Sequence, residues 1–330
     1  MSGAVGYHLR TNKAVERKIF IDLLQKLTPV HPIKDYTYVG FGGPMLEDFR
    51  EAHQAIGFKK MISIEQNSEV YKRQNFNIPF SHIDLIKSKS GNFIDSYNLE
   101  ENAVIWLDYG GIDIEKYLQE THRLLKKLQK GDVFKITLVA NPDNYYRPSS
   151  DRATGYEDEN QALVLKAFVD QIPDDYIPSE ISINDMNMEG LPRMLSKALD
   201  VIFAEYAESE NELKVIPITR FRYIDHSHQI FTLTSVISNK TLNQMTRRCG
   251  ISEWDIISRN SDDIKEIAMP ALTQKEKLVL DQELPDITDD KLADILDKHR
   301  VHDRRAISDK LIHQYRQYYR YYPNYQRVNP

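Results

Sequence analysis

Tyr36-Thr37-Tyr38-Val39-Gly40-Phe41-Gly42-Gly43-Pro44 reads as a short buried strand that breaks into glycines, and residues 45–55 carry apolar side chains at roughly helical spacing. A strand is turned into a helix through glycine, with Pro44 placed to open the first helical turn, where its missing N–H has no intrahelical partner to lose. Lys60–Glu65 follows as a second short apolar strand ending on a carboxylate, about where a dinucleotide-binding unit carries its ribose-binding acid. Gly40 and Gly42 permit a sharp turn and close approach of a ligand, and Glu65 can accept hydrogen bonds from two ribose hydroxyls. The dinucleotide fingerprint needs glycine at its first, third and sixth positions, and counting from Gly40 the sixth is Met45. A nucleoside ligand without a pyrophosphate fits this loop better than a dinucleotide. An ordinary tight turn between strand and helix is the plain alternative.

Working outward, residues 10–27 form an amphipathic pattern. Val15, Ile19, Leu23 and Leu27 recur at helical spacing, with Lys13, Glu16, Arg17, Lys18, Asp22 and Lys26 mostly between them. Arg10 and Lys13 could reach a ligand carboxylate from this helix, but solvated charges are the expected reading. A second helix is expected over 68–75 and a third strand over 78–86, with Gly91 opening a short connection. Ala103-Val104-Ile105-Trp106-Leu107 is continuously apolar, as in a parallel strand covered on both faces, and it ends in Asp108-Tyr109-Gly110-Gly111. Ligands gather outside the carboxyl ends of strands in open α/β sheets, so Asp108 and Tyr109 share a rim with Gly40, Gly42 and Glu65. A helix over 112–130, stopped by Gly131, leads to a fifth strand over 133–140. The alternation implies right-handed parallel crossovers.

The pattern then changes. Residues from about 144 to 213 combine a polar loop with two helical stretches, too long for one crossover, and read as an insertion over the rim where a lid or substrate-recognition element would sit. Two strands over 214–223 and 229–237, joined by Ile224-Asp225-His226-Ser227-His228, read as an antiparallel hairpin. Asp225, His226 and His228 resemble metal ligands on paper, but turn chemistry explains them, and no metal is expected.

Composition bounds the possibilities. The chain has 330 residues, 41% of them apolar and 28% charged, with a net charge of −6 and one cysteine, Cys249, which excludes an internal disulfide and a cysteine-rich zinc cage. No apolar run is long enough to span a bilayer and no signal-peptide layout opens the chain, so a cytoplasmic location is expected. The charge is uneven: residues 298–330 carry eight basic against two acidic side chains, net +6, which leaves −12 on the rest.

Five alternating strand–helix units closed by a reversed hairpin resemble the class I S-adenosylmethionine-dependent methyltransferases over residues 36–238. The resemblance implies an α/β fold, a seven-stranded Rossmann-like methyltransferase sheet with a C-terminal antiparallel hairpin, followed by a small helical domain. It divides the chain into an N-terminal helical arm (1–35), a cofactor-binding domain (36–240) and a helical C-terminal domain (241–330). Residue by residue, Gly40, Gly42 and Gly43 match the glycine motif, Glu65 with Gln66 the ribose-binding acid, and Asp108-Tyr109 the motif after the fourth strand. S-adenosyl-L-methionine is the implied cofactor, held by Gly40, Gly42, Gly43, Glu65, Gln66 and Asp108, with Asp108 and Tyr109 as implied catalytic residues. The chain departs from the family in having Tyr38 two places before the first glycine and no aspartate in 88–92. Asp108-Tyr109-Gly110-Gly111 also departs from the Asp/Asn-Pro-Pro-Tyr motif of exocyclic-amine methyltransferases, which leaves an oxygen or another nitrogen of an unidentified acceptor as the target.

The C-terminal third shows three helical patterns, over 273–282, 288–298 and 303–319, two of them opening on Thr273 and Thr288 as N-caps. Arg316, Arg320 and Arg327 interleave with Tyr315, Tyr318, Tyr319, Tyr321, Tyr322 and Tyr325. Such a tail suits nucleic acid, though tyrosines at helical spacing equally suit docking onto the acidic body. A catalytically degenerate nucleic-acid or protein-binding module and an NAD(P)-dependent oxidoreductase are the two rival readings.

Overall fold

The computed structural model describes residues 10–96, 98, 100–144, 157–209, 212–299 and 309–323. The first half alternates as expected, except that a helix, α4 (Ser90–Ser96), replaces the short connection expected at Gly91: β1 (Thr37–Gly40), α2 (Glu47–Ile56), β2 (Lys60–Glu65), α3 (Ser68–Asn77), β3 (Ile83–Lys87), α4, β4 (Ala103–Asp108), α5 (Ile114–Leu125) and β5 (Val133–Val139), preceded by α1 (Thr11–Leu27). After α6 (Glu157–Val169) and α7 (Gly190–Ser209) come the hairpin strands β6 (Lys214–Asp225) and β7 (His228–Ser238). The order β3-β2-β1-β4-β5-β7-β6-β8 is parallel through β5, with β7 antiparallel to both of its neighbours. This is the Rossmann-like methyltransferase arrangement with one strand more than the seven expected. The extra strand, β8 (Lys265–Ile267), pairs in parallel with β6 at the sheet edge. Its three residues, Lys265-Glu266-Ile267, are too short and too polar to show the alternation by which a strand is recognised.

Alternation along each strand sorts the core onto two faces. Tyr38, Val104, Trp106 and Val133 meet α1 and α2 in one cluster, while Val39, Ile105, Leu107, Phe134 and Ile136 meet α5 and α7 in the other. Helix α7 packs on the sheet with Leu191, Leu195, Leu199 and Ile202 fully buried. It thus serves as the covering helix between β5 and the hairpin, and the expectation of a lid does not apply to it. The polar loop at 145–156 lies outside the described residues.

Three helices follow α8 (Leu242–Arg248): α9 (Gln274–Glu283), α10 (Asp289–His299) and α11 (Asp309–Tyr318). Thr273 opens α9 with a full capping box, as its position predicts. Three of the described tail tyrosines dock onto the body. Tyr315, Tyr318 and Tyr322 are buried; Tyr315 Oη donates to Asp281, and the partly buried Tyr321 donates its hydroxyl to Asp22 on α1. Arg316 pairs with Asp289 at 3.3 Å. Tyr325 and Arg327 lie outside the described residues. No described helix is long and apolar enough to cross a membrane.

Candidate active site

The glycine loop is built by packing. Gly42 donates its N–H to Ser63 Oγ at 3.2 Å, Ser63 in turn reaches Gln74 Oε1 at 3.3 Å, and Gln74 Nε2 donates to the carbonyl of Gly43 at 2.9 Å. A Cβ on Gly42 would stand 2.1 Å from Leu46 Cδ2 and 2.7 Å from Ser63 Oγ. Leu46 itself takes a left-handed φ of 52° to drop its buried side chain into that space. Helix α2 therefore starts at Glu47, and Pro44 sits in the preceding turn instead of the first helical turn. Gly40 is equally enclosed, its Cβ position 3.2 Å from the Trp106 carbonyl. Gly40 and Gly42 thus shape the loop from behind, and the loop turns Phe41, Gly43 (φ 53°) and Pro44 toward the rim.

A cleft of about 750 Å³ opens at the carboxyl ends of the strands. Grouped by their elements along the rim, Phe41, Gly43, Glu65, Gln66, Ser88 and Tyr117 form what we term its first lobe, and Arg10, Lys13, Asp108, Asp225, His226 and His228 its second, with Tyr109, Gly110 and Gly111 after β4 between them. Glu65 is fixed at the edge of the first lobe: its Oε1 accepts the Asn67 N–H at 2.6 Å. Tyr109 is held more tightly. Its hydroxyl donates to Glu120 Oε2 at 2.6 Å, its ring stacks on Tyr117 with centroids 3.9 Å apart, and Phe41 meets it edge-on. Burial and the neighbouring Glu120 carboxylate push its phenol well above the usual range, so Tyr109 is a wall of the cleft and keeps its proton.

The second lobe rests on charges that the sequence pattern placed in solvent. Lys13, Glu16 and Arg17 are all buried against the sheet. Arg17 Nε meets Asp48 Oδ1 at 2.6 Å, its Nη2 meets Asp108 Oδ2 at 3.0 Å, and its guanidinium lies 4.8 Å from the Trp106 ring. Glu16 pairs with Lys135, whose ammonium is sandwiched 4.1 Å from Phe20 and 4.0 Å from Trp106. Arg10 grips Asp225 with two nitrogens, and Lys13 Nζ stands 3.8 Å from both Asp108 and Asp225. Arg10 and Lys13 are therefore cleft residues, which corrects the expectation of solvated charges. Period counting finds apolar faces and cannot show that the opposing sheet carries Lys135 and Asp108 on the side facing α1. Asp225 is explained by its arginine, and among the described residues no cluster suits a metal ion.

Burial alone would raise the Asp108 carboxyl, but Lys13, then Arg17, Lys135 and Arg10 outweigh it and hold it below the ordinary carboxylate range. An acid held so firmly ionised is a poor proton acceptor. Asp108 is thus a fixed negative charge on the rim beside Tyr109.

A family model described as "Putative O-methyltransferase" matches residues 5–330, nearly the whole chain. The chain belongs to that family. The methyltransferase uses S-adenosylmethionine as its cofactor, and the oxidoreductase reading is set aside. Solved structures similar to it include cofactor-bound Rv0187 from MTB, at 8% identity and a TM-score of 0.39 over 72% of this chain and 82% of that one. Trm1 from Pyrococcus horikoshii, in complex with S-adenosyl-L-methionine, is 10% identical with a TM-score of 0.46 over 71% and 57%. The N-methyltransferase NodS from Bradyrhizobium japonicum is 10% identical with a TM-score of 0.38 over 68% and 97%. No curated protein matches the chain.

Proposed function

We propose that the methyltransferase binds S-adenosylmethionine with its adenosine in the first lobe and its methyl group toward the second, where an oxygen acceptor is seated. The observation that carries this is one continuous cleft running from Glu65, past Gly43 and Gly110, to Asp108 and Lys13. Its residues fit the group. Glu65 offers a carboxylate oriented by Asn67 to a ribose diol, and Ser88 and Ser90 supply hydroxyls beside it for the base. A Cβ on Gly110 would meet nothing within 4 Å, so the waist of the cleft is open. The volume lies within the roughly 300–1,000 Å³ usual for small-ligand sites.

When bound, the cofactor supplies an electrophilic methyl group on a sulfonium. The protein's part is placement: α1 and the β6–β7 turn close the acceptor side, and the clamped Asp108 and Tyr109 keep the waist rigid, so that an acceptor is held in line at near-contact distance. Gly40 and Gly42 enter as loop builders, Gly43, Glu65 and Gln66 as cofactor contacts. Binding of S-adenosylhomocysteine, followed by calorimetry, tests this. Glu65→Ala is expected to weaken binding by about tenfold or more, a loss of ~1.4 kcal/mol or greater, while the half-exposed position leaves the melting temperature of the free protein nearly unchanged. Equal affinity in the variant contradicts the placement of the ribose.

A further inference from the structure

One polar group of the cleft is not accounted for by the contacts described so far. Tyr223 lies near the end of β6, two residues before Asp225, opposite Ile230 of β7. It belongs to one apolar cluster with Val15 and Ile19 of α1, Val139 and Ile230, and Tyr223, Val139 and Ile230 all line the cleft. The residue is only 2% exposed. Among the described residues its hydroxyl has no hydrogen-bond partner, and it is not sealed inside the protein. Two other buried tyrosines differ from it. Tyr109 Oη donates to Glu120, and Tyr318 Oη, also without a partner, is fully enclosed.

A buried phenol normally finds a partner for its O–H. One that is almost wholly buried, unpartnered and open only at a cleft is completed by what enters the cleft. Its surroundings decide which partner suits it. Burial first, then Glu16, hold the phenol well above the usual range; Asp108 and Asp225 add to this and Arg17 opposes it. The hydroxyl therefore keeps its proton and offers the lobe a donor.

We infer that Tyr223 is a substrate-binding residue that donates its hydroxyl to an oxygen of the methyl acceptor, and that the acceptor lays an apolar face on Val139 and Ile230 beside it. The inference rests on the placement of cofactor and acceptor proposed above. Filling the lobe takes the hydroxyl out of solvent. A ligand with an oxygen in reach gains a hydrogen bond, whereas one without it leaves a buried donor unsatisfied, and the site selects against it. Neighbouring polar groups are already engaged: Arg10 by Asp225, Asp108 by Arg17 and Lys13, Tyr109 by Glu120. The acceptor class is a small molecule with an apolar body and a carbonyl, ether or hydroxyl oxygen.

The test uses the full chain saturated with S-adenosylhomocysteine and two probes of one shape, acetophenone and ethylbenzene, followed by ligand-observed NMR. Tyr223→Phe is expected to weaken acetophenone by about fivefold and to leave ethylbenzene unchanged or more tightly bound, with S-adenosylhomocysteine affinity kept. Equal losses for both probes, an unchanged affinity for acetophenone, or no binding of acetophenone to the wild type overturns the inference. Loss of S-adenosylhomocysteine binding in Tyr223→Phe overturns it too, because it puts Tyr223 on the cofactor. The ligand-free variant gives a second reading. A hydroxyl without an internal partner stabilises little, so the melting temperature of Tyr223→Phe should equal or exceed that of the wild type; a clear fall means that the hydroxyl is engaged within the protein, and overturns the inference. A wild-type chain that fails to bind S-adenosylhomocysteine instead refutes the underlying placement, a different result from any of these.

Discussion

Arg17 shows what a single residue does here. Its guanidinium joins α1 to Asp48 of α2 and to Asp108 of β4, tying the segment after the glycine loop to the waist of the cleft. Replacing it by Met keeps most of the packing over Trp106 but removes the cation at Asp48 and one of those around Asp108, and breaking a buried pair typically costs about 3–5 kcal/mol. Urea unfolding at pH 7 is expected to show a loss of about 3 kcal/mol. The loss depends on pH with a definite sign. Asp108 titrates below its unfolded value, so the stability it contributes is complete above that value, near 3.9, and is lost as pH falls through the folded one. The gap between wild type and Arg17→Met should therefore narrow in acid and stay constant above about pH 5. Glu65 was legible in the sequence, because a carboxylate ending a short second strand has a defined position on the rim. Arg17 was not, because a buried charge is recognisable only from its partners, here 31 and 91 residues away.

At the scale of elements, the strand and helix alternation was legible wherever apolar runs met glycine or proline, and the hairpin was placed nearly to the residue, with its turn at His226 and Ser227. Strand β8 escaped because three residues carry no period. The turn after β1 was legible from its glycines, but the packing that requires Gly42 there, Leu46 and Ser63 behind the loop, was not. That packing is testable. Gly42→Ala should destabilise the free protein by about 1–3 kcal/mol through overpacking, in addition to weakening cofactor binding. Thermal unfolding in the absence of cofactor checks it, and an unchanged melting temperature means that the space behind the loop is not filled as described.

Across the whole molecule, α1 connects two regions that the sequence reading kept apart. Its sheet-facing side carries Lys13 into the cleft and Arg17 beneath it, while Asn12 Oδ1 accepts the Met269 N–H at 2.8 Å and Asp22 accepts the Tyr321 hydroxyl from the C-terminal segment. Tyr318 packs into the same cluster as Val15 and Ile19. The basic, tyrosine-rich tail thus backs the helix that lines the cleft, through Tyr318 and Tyr321. The helical arm and the C-terminal helices were each legible as helices, but their meeting across α1 depends on pairings more than 250 residues apart. A crystal structure of the full chain with S-adenosylhomocysteine tests the central claim most directly. It should place both ribose hydroxyls within hydrogen-bond distance of Glu65 and the sulfur at the waist beside Asp108 and Tyr109; a ribose bound away from Glu65, or a sulfur facing away from the lobe that holds Lys13, would contradict it.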